Sequence, residues 1–148
     1  MEKTEIENIK DMDSNNDMVL YHVTPEENYL NIIKNGFDLS KSSSNGIYGK
    51  GIYFFDSIKE SRYFLIDLKY YAYNMKPTDK LSMRLIVANI KARNKYEFKL
   101  RGNFDVDSIV PEISKNYDVG YDEESVYVVY NLKTITILKE KSGKVITV

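Results

Sequence analysis

Apolar positions along the chain fall into short β-like runs separated by two helix-like stripes. Residues 18–23 form a brief apolar strand, and Thr24-Pro25-Glu26-Glu27 then reads as a capping box with proline at the first helical position. Tyr29, Leu30, Ile32 and Ile33 supply an apolar stripe that ends at Gly36. Residues 41–49, rich in Ser, Gly and Asn, predict a flexible loop. Residues 52–55 are a second strand, and Ser57-Ile58-Lys59-Glu60 is a second capping box, opening a long helix to about Tyr73. Leu81, Met83, Leu85, Val87 and Ile90 recur mostly at every second residue, which predicts a strand over residues 81–92. Residues 95–100 continue that strand or pair with it. The stretch 101–123, with scattered turn formers and Pro111, predicts irregular structure with at most a short helix. Residues 125–130, 134–138 and 144–148 are β-rich runs separated by turn formers. The sum is an α+β domain with helices early and antiparallel strands late.

Composition narrows the class without naming it. At 148 residues the chain is one domain by length, comprising an acidic polar tail or helix over residues 1–17 and a single domain over residues 18–148. A hydrophobic share of 43% with a formal net charge of −1 gives no bulk attraction to nucleic acid or to an anionic membrane. The chain has no cysteine and one histidine, so thiol nucleophiles and disulfides are excluded and no metal site is expected. The N-terminal residues are charged and lead into no apolar run of signal or membrane length, so a cytoplasmic site of action is the expectation, including delivery into the cytosol of another cell.

Candidate chemistry gathers in two blocks. His22, the one histidine, sits on the first strand ahead of Val23 and Thr24, with Asn28 in the following helix. The second block reads Gly49-Lys50-Gly51-Ile52-Tyr53-Phe54, with Ser61 and Phe64 in the helix behind it. The glycine turn lacks the longer spacing of a phosphate-binding P-loop. Tyr70, Tyr71 and Tyr73 follow an amphipathic run, which predicts packing rather than base stacking.

Residues 19–64, and more weakly 124–138, resemble the catalytic domain of poly(ADP-ribose) polymerases, the His-Tyr-Glu branch of the ADP-ribosyltransferase fold. The resemblance implies an α+β fold with an ADP-ribosyltransferase-like split antiparallel β-sheet and flanking helices, and NAD as substrate. It implies that His22 hydrogen-bonds a ribose hydroxyl of the adenosine half, that the Val23 backbone and the Ser61 hydroxyl hold the nicotinamide carboxamide, and that Tyr53 and Phe64 sandwich the ring. Thr24, Asn28 and Gly51 complete the implied NAD-binding set. Such a reaction passes through an oxocarbenium-like state, which requires the ring held, the ribose fixed and positive charge stabilised.

Two positions depart from the family. Val23 replaces a glycine, which leaves backbone groups available, and Val126 stands where the polymerases carry the catalytic Glu. Glu124, two residues earlier on the same strand and on the same face, is the substitute if a bulge or register shift brings it to the ribose. The competing assignment for Glu123 and Glu124 is a solvated acidic turn. The expected catalytic set is therefore Glu124, Tyr53 and His22. The expected function is NAD-dependent mono-ADP-ribosyl transfer to a protein or nucleic-acid acceptor by a monomer acting off the membrane, a pattern that suits a bacterial or phage toxin, effector or defence component. A catalytically inactive NAD- or ADP-ribose-binding module and an NAD glycohydrolase are the alternatives.

Overall fold

The computed structural model describes residues 17–42, 46–99 and 106–148. The predicted N-terminal tail lies outside these except for Asp17, the first residue of strand β1 (Asp17–Thr24). After β1 come α1 (Glu26–Asn35), β2 (Ile52–Phe55), α2 (Ile58–Asp67), β3 (Ser82–Lys91), β4 (Lys95–Phe98), α3 (Val106–Asn116), β5 (Val119–Asp122), β6 (Val126–Val129), β7 (Ile135–Ile137) and β8 (Val145–Thr147). Among the described residues the strands form one sheet in the order β4-β5-β6-β2-β1-β3-β7, with β8 also on β3. All pairs are antiparallel except β4 with β5.

The longest strand is β3, one place in from the β7 end of the sheet. One edge pairs with all of β1, from Asp17–Lys91 to Thr24–Arg84, and the other is divided between β7 and β8. Both of its faces are covered. Met83, Leu85 and Val87 pack with Val23, Leu65 and Ile146, while Ala88 and Ile90 pack with Leu20, Ile52 and Phe54. A strand buried on both faces carries an apolar run rather than a clean alternation, which Leu85-Ile86-Val87-Ala88 displays. A third cluster, Tyr48, Phe98, Ile113, Val128 and Tyr130, closes the β4–β5–β6 end.

Several expectations are corrected. Thr24 does not cap α1: it is still in the sheet opposite Arg84, Pro25 occupies the cap position without a side-chain bond, and Glu26 instead bridges to Arg84 at 3.0 Å. The Ser57 cap forms as predicted, accepting from the Glu60 amide at 3.1 Å. The helix it opens is regular only to Asp67, and Leu68–Ala72 widens into a π-turn. That change of winding buries Lys69, whose Nζ donates to the Pro77 carbonyl at 3.3 Å, and leaves Tyr70, Tyr71 and Tyr73 exposed rather than packed. Residues 95–98 do not extend or pair with β3 but form β4, parallel to β5. The stretch 101–123, expected to be irregular, holds α3, with Pro111 inside it, and β5. Among the described residues no helix is long and apolar enough to cross a membrane.

Candidate active site

The site begins where β1 and β2 part. They pair at Tyr21–Phe55, and at the next residue of β1 the link is a side chain: Nδ1 of His22 lies 2.7 Å from the Tyr53 carbonyl. A carbonyl only accepts, so Nδ1 carries the proton. Burial pushes the imidazole below its ordinary 6.5, outweighing the stabilising bond to Tyr53, so the ring is neutral at pH 7 and Nε2 is left as an acceptor. Phe37 and Phe54 hold the ring in place, with centroids 5.2 and 5.5 Å away.

Next on β1, Val23 stands opposite Leu85, yet the Leu85 amide and carbonyl bond to Lys144 and Gly143 on the far side of β3. In an antiparallel ladder a residue whose partner bonds elsewhere turns its own groups the other way. The N–H and C=O of Val23 therefore point to the edge facing β2.

Three hollows meet along this parting. The first, about 360 Å³, is lined by His22, Thr24, Asn28, Gly51 and Tyr53, together with Asn31, Asp38 and Lys41. A second, about 260 Å³, lies between the end of β1 and α2 and is lined by His22, Val23, Thr24, Tyr53, Phe64 and Tyr73 among others. The third and largest, about 790 Å³, is bounded by Tyr53, Phe55 and Phe64 on one side and by Glu60, Asp67, Glu123, Glu124 and Val126 on the other. Tyr53 belongs to all three. Its hydroxyl donates to the Gly49 carbonyl at 2.7 Å and accepts from the Tyr48 amide at 2.9 Å, so its ring serves as a fixed wall. Phe64, partly exposed at 37%, leans on Phe55 at 5.0 Å between centroids.

The structure thus brings together His22, Val23, Thr24, Asn28, Gly51, Tyr53 and Phe64, with Glu124 across the largest hollow. It does not bring Ser61, which is fully buried in α2 with its hydroxyl turned back to the Ser57 carbonyl at 3.1 Å. Glu124 also sits differently from expectation. It lies in the turn between β5 and β6, not on the strand, because Ser125 adopts a left-handed φ of 71° and breaks the two-residue alternation. Val126 opens β6 opposite Phe55 and lines the same hollow as Glu124.

Sequence reasoning missed Asp122. Its neighbourhood reads as surface charge, but the side chain is only 6% exposed and accepts from the Glu124 and Val126 amides and from the Tyr48 hydroxyl. An Asp bonding to the amide two residues on is a recognisable turn signal, and it was the available cue.

No curated protein matches the chain. Residues 1–69 match the family model described as the poly(ADP-ribose) polymerase catalytic domain, a partial match that covers the first two strands and the whole of α1 and α2 and supports NAD-dependent ADP-ribosyltransferase activity in general. The α+β architecture is consistent with an ADP-ribosyltransferase-like fold. Over its first 69 residues, then, the chain is similar to the poly(ADP-ribose) polymerase catalytic domain.

Proposed function

We propose that the chain is an NAD-dependent mono-ADP-ribosyltransferase. The observation that carries this is the parting of β1 and β2, which sets an acceptor nitrogen on His22, outward-facing backbone groups on Val23 and two aromatic side chains around one cleft. In this reading the nicotinamide lies against Tyr53 and Phe64 with its carboxamide on the Val23 backbone. His22 Nε2 accepts from a ribose hydroxyl, and the hollow lined by Thr24, Asn28 and Gly51 takes the adenosine half. The bond between nicotinamide nitrogen and ribose C1′ breaks, its electron pair leaving with nicotinamide. The acceptor's nucleophile bonds to C1′ and gives its proton to Glu124, whose carboxylate also offsets the charge developing on the ribose.

With Val126 at the start of β6, the third hollow offers Glu124 as the carboxylate for a single transfer. Four acidic side chains line that hollow, Glu60, Asp67, Glu123 and Glu124, and they favour a protein acceptor over the phosphate backbone of a nucleic acid. The domain acts as a monomer in this reading, which size-exclusion chromatography checks. The role of toxin, effector or defence component is tested by expression in a bacterial host, where growth arrest relieved by Glu124→Ala supports it.

A second reading draws on the exposure of Glu124 and the apolar Val126: a pocket that binds NAD or ADP-ribose without turning it over. Nicotinamide release from labelled NAD, measured with a cell lysate present and followed by mass spectrometry of the labelled product, separates them. Release with a labelled acceptor supports the transferase. Release without one indicates a glycohydrolase, and NAD binding without release indicates the binding module. In an active protein, Glu124→Ala is expected to lower release about 100-fold with NAD affinity held.

A further inference from the structure

Tyr48 is fully buried, its ring stacked on Phe98 with centroids 4.1 Å apart and planes within 9°. Every polar atom it owns is engaged. The amide donates to the Tyr53 hydroxyl at 2.9 Å, the carbonyl accepts from the Tyr130 hydroxyl at 2.7 Å, and the hydroxyl donates to Oδ2 of Asp122 at 2.6 Å. The other carboxylate oxygen, Oδ1, accepts from the amides of Glu124 at 2.8 Å and Val126 at 3.1 Å. A short chain of hydrogen bonds therefore runs from Tyr53, the wall shared by all three hollows, through Tyr48 and Asp122 to the backbone of Glu124.

We propose that Tyr48 and Asp122 are positioning residues that hold the β5–β6 turn, and with it Glu124, at a set distance from Tyr53. This rests on the reading of Glu124 as the carboxylate of an ADP-ribosyl transfer. An exposed glutamate on a turn has many backbone and rotamer states, and the turn itself includes a left-handed Ser125. Asp122 removes the backbone part of that freedom by bonding two amides at once. Tyr48 then ties Asp122 to the residue that walls the cleft, so catalytic carboxylate and substrate wall share one reference point. Misplacement of a reacting group by about 1 Å costs on the order of 100-fold in rate, which sets the scale of what such a tie protects.

Tyr48→Phe deletes the hydroxyl and keeps the ring stack and both backbone bonds. Expected is a fall of about 10-fold or more in nicotinamide release with the NAD dissociation constant within about twofold of wild type. In a Glu124→Ala background the same substitution is expected to cause no further fall, because it acts only through Glu124. Equal losses in both backgrounds, or a loss of affinity matching the loss of rate, would overturn the proposal. Asp122→Asn keeps an acceptor for the two amides and is expected to recover part of the rate lost in Asp122→Ala; no difference between the two also counts against it. Hydrogen exchange at the Glu124 and Val126 amides separates this proposal from the activity reading. A wild-type protein that releases no nicotinamide sinks the transferase, whereas an active protein whose two amides exchange no faster in Tyr48→Phe sinks the tie.

Discussion

The imidazole of His22 donates its Nδ1 proton to the carbonyl of Tyr53, 2.7 Å away, at the point where the strands that carry them diverge. Strand pairing gives way there to a single side-chain bond, and that bond fixes which ring nitrogen is free. Its protonation state therefore governs what the cleft can accept. NAD affinity is expected to stay level from pH 8 to 7 and to fall as acid converts Nε2 from acceptor to donor, with the apparent pKa below the ordinary 6.5. Calorimetric titration of NAD at stepped pH checks this.

The same group links stability to pH. Its folded pKa is depressed, so above 6.5 neither state binds the proton and His22 contributes no slope. Below 6.5 the unfolded chain binds it first, and stability falls with decreasing pH until the folded pKa is reached, at no more than about 1.4 kcal/mol per pH unit. Thermal melts of wild type and His22→Gln are expected to differ in slope in that window and to run parallel above it.

Gly51 marks a close approach between β2 and β6. A Cβ built there lies 2.5 Å from Val128 Cγ2 and 3.0 Å from the Val129 carbonyl oxygen, and the backbone atom has no way to yield. Gly51→Ala is expected to destabilise the fold by about 1–3 kcal/mol in chemical denaturation and to weaken NAD binding, since Gly51 also lines the first hollow.

Phe64 is expected to act on binding more than on folding. It is partly exposed and contacts Phe55 through one face. Phe64→Ala should weaken nicotinamide binding about 10-fold, near the 1.4 kcal/mol that an aromatic stack supplies, with a smaller effect on the melting temperature. An unaltered affinity would place the nicotinamide elsewhere.

Val126→Glu puts a carboxylate at the first residue of β6, opposite Phe55 and on the same hollow as Glu124. In the Glu124→Ala background it is expected to recover at least about 10-fold in nicotinamide release, a modest part of what a positioned acid–base group contributes. A steady-state assay of the double variant decides it.

What was legible in the sequence is what local chemistry dictates. The Ser57 cap, the Gly36 stop, the strands carrying His22 and Tyr53, and the helix carrying Phe64 each follow from residues within a few positions of one another. Thr24 failed as a cap because its backbone was claimed by Arg84, a partner that no local window contains. Alternation read along the sequence puts Glu124 on a strand, but Asp122 makes a turn there and is itself held by Tyr48, far off in the chain. The parallel pairing of β4 and β5 was hidden for a similar reason: the crossover passes through α3, where Pro111 argued against a helix.

The long pairing of β1 with β3 has a kinetic consequence. Asp17 must find Lys91 and Thr24 must find Arg84 before the His22 strand has a neighbour along its length, since β2 meets it only at Tyr21 and through the His22 side chain. Closing loops of that size costs entropy well before the apolar contacts return it, so this sheet is expected to assemble more slowly than a helical bundle of the same length. During that interval β1 is an unpaired edge with Val19 and Leu20 on offer to another chain, and the species to watch for in refolding is an aggregate seeded from the very strand that later carries the cleft.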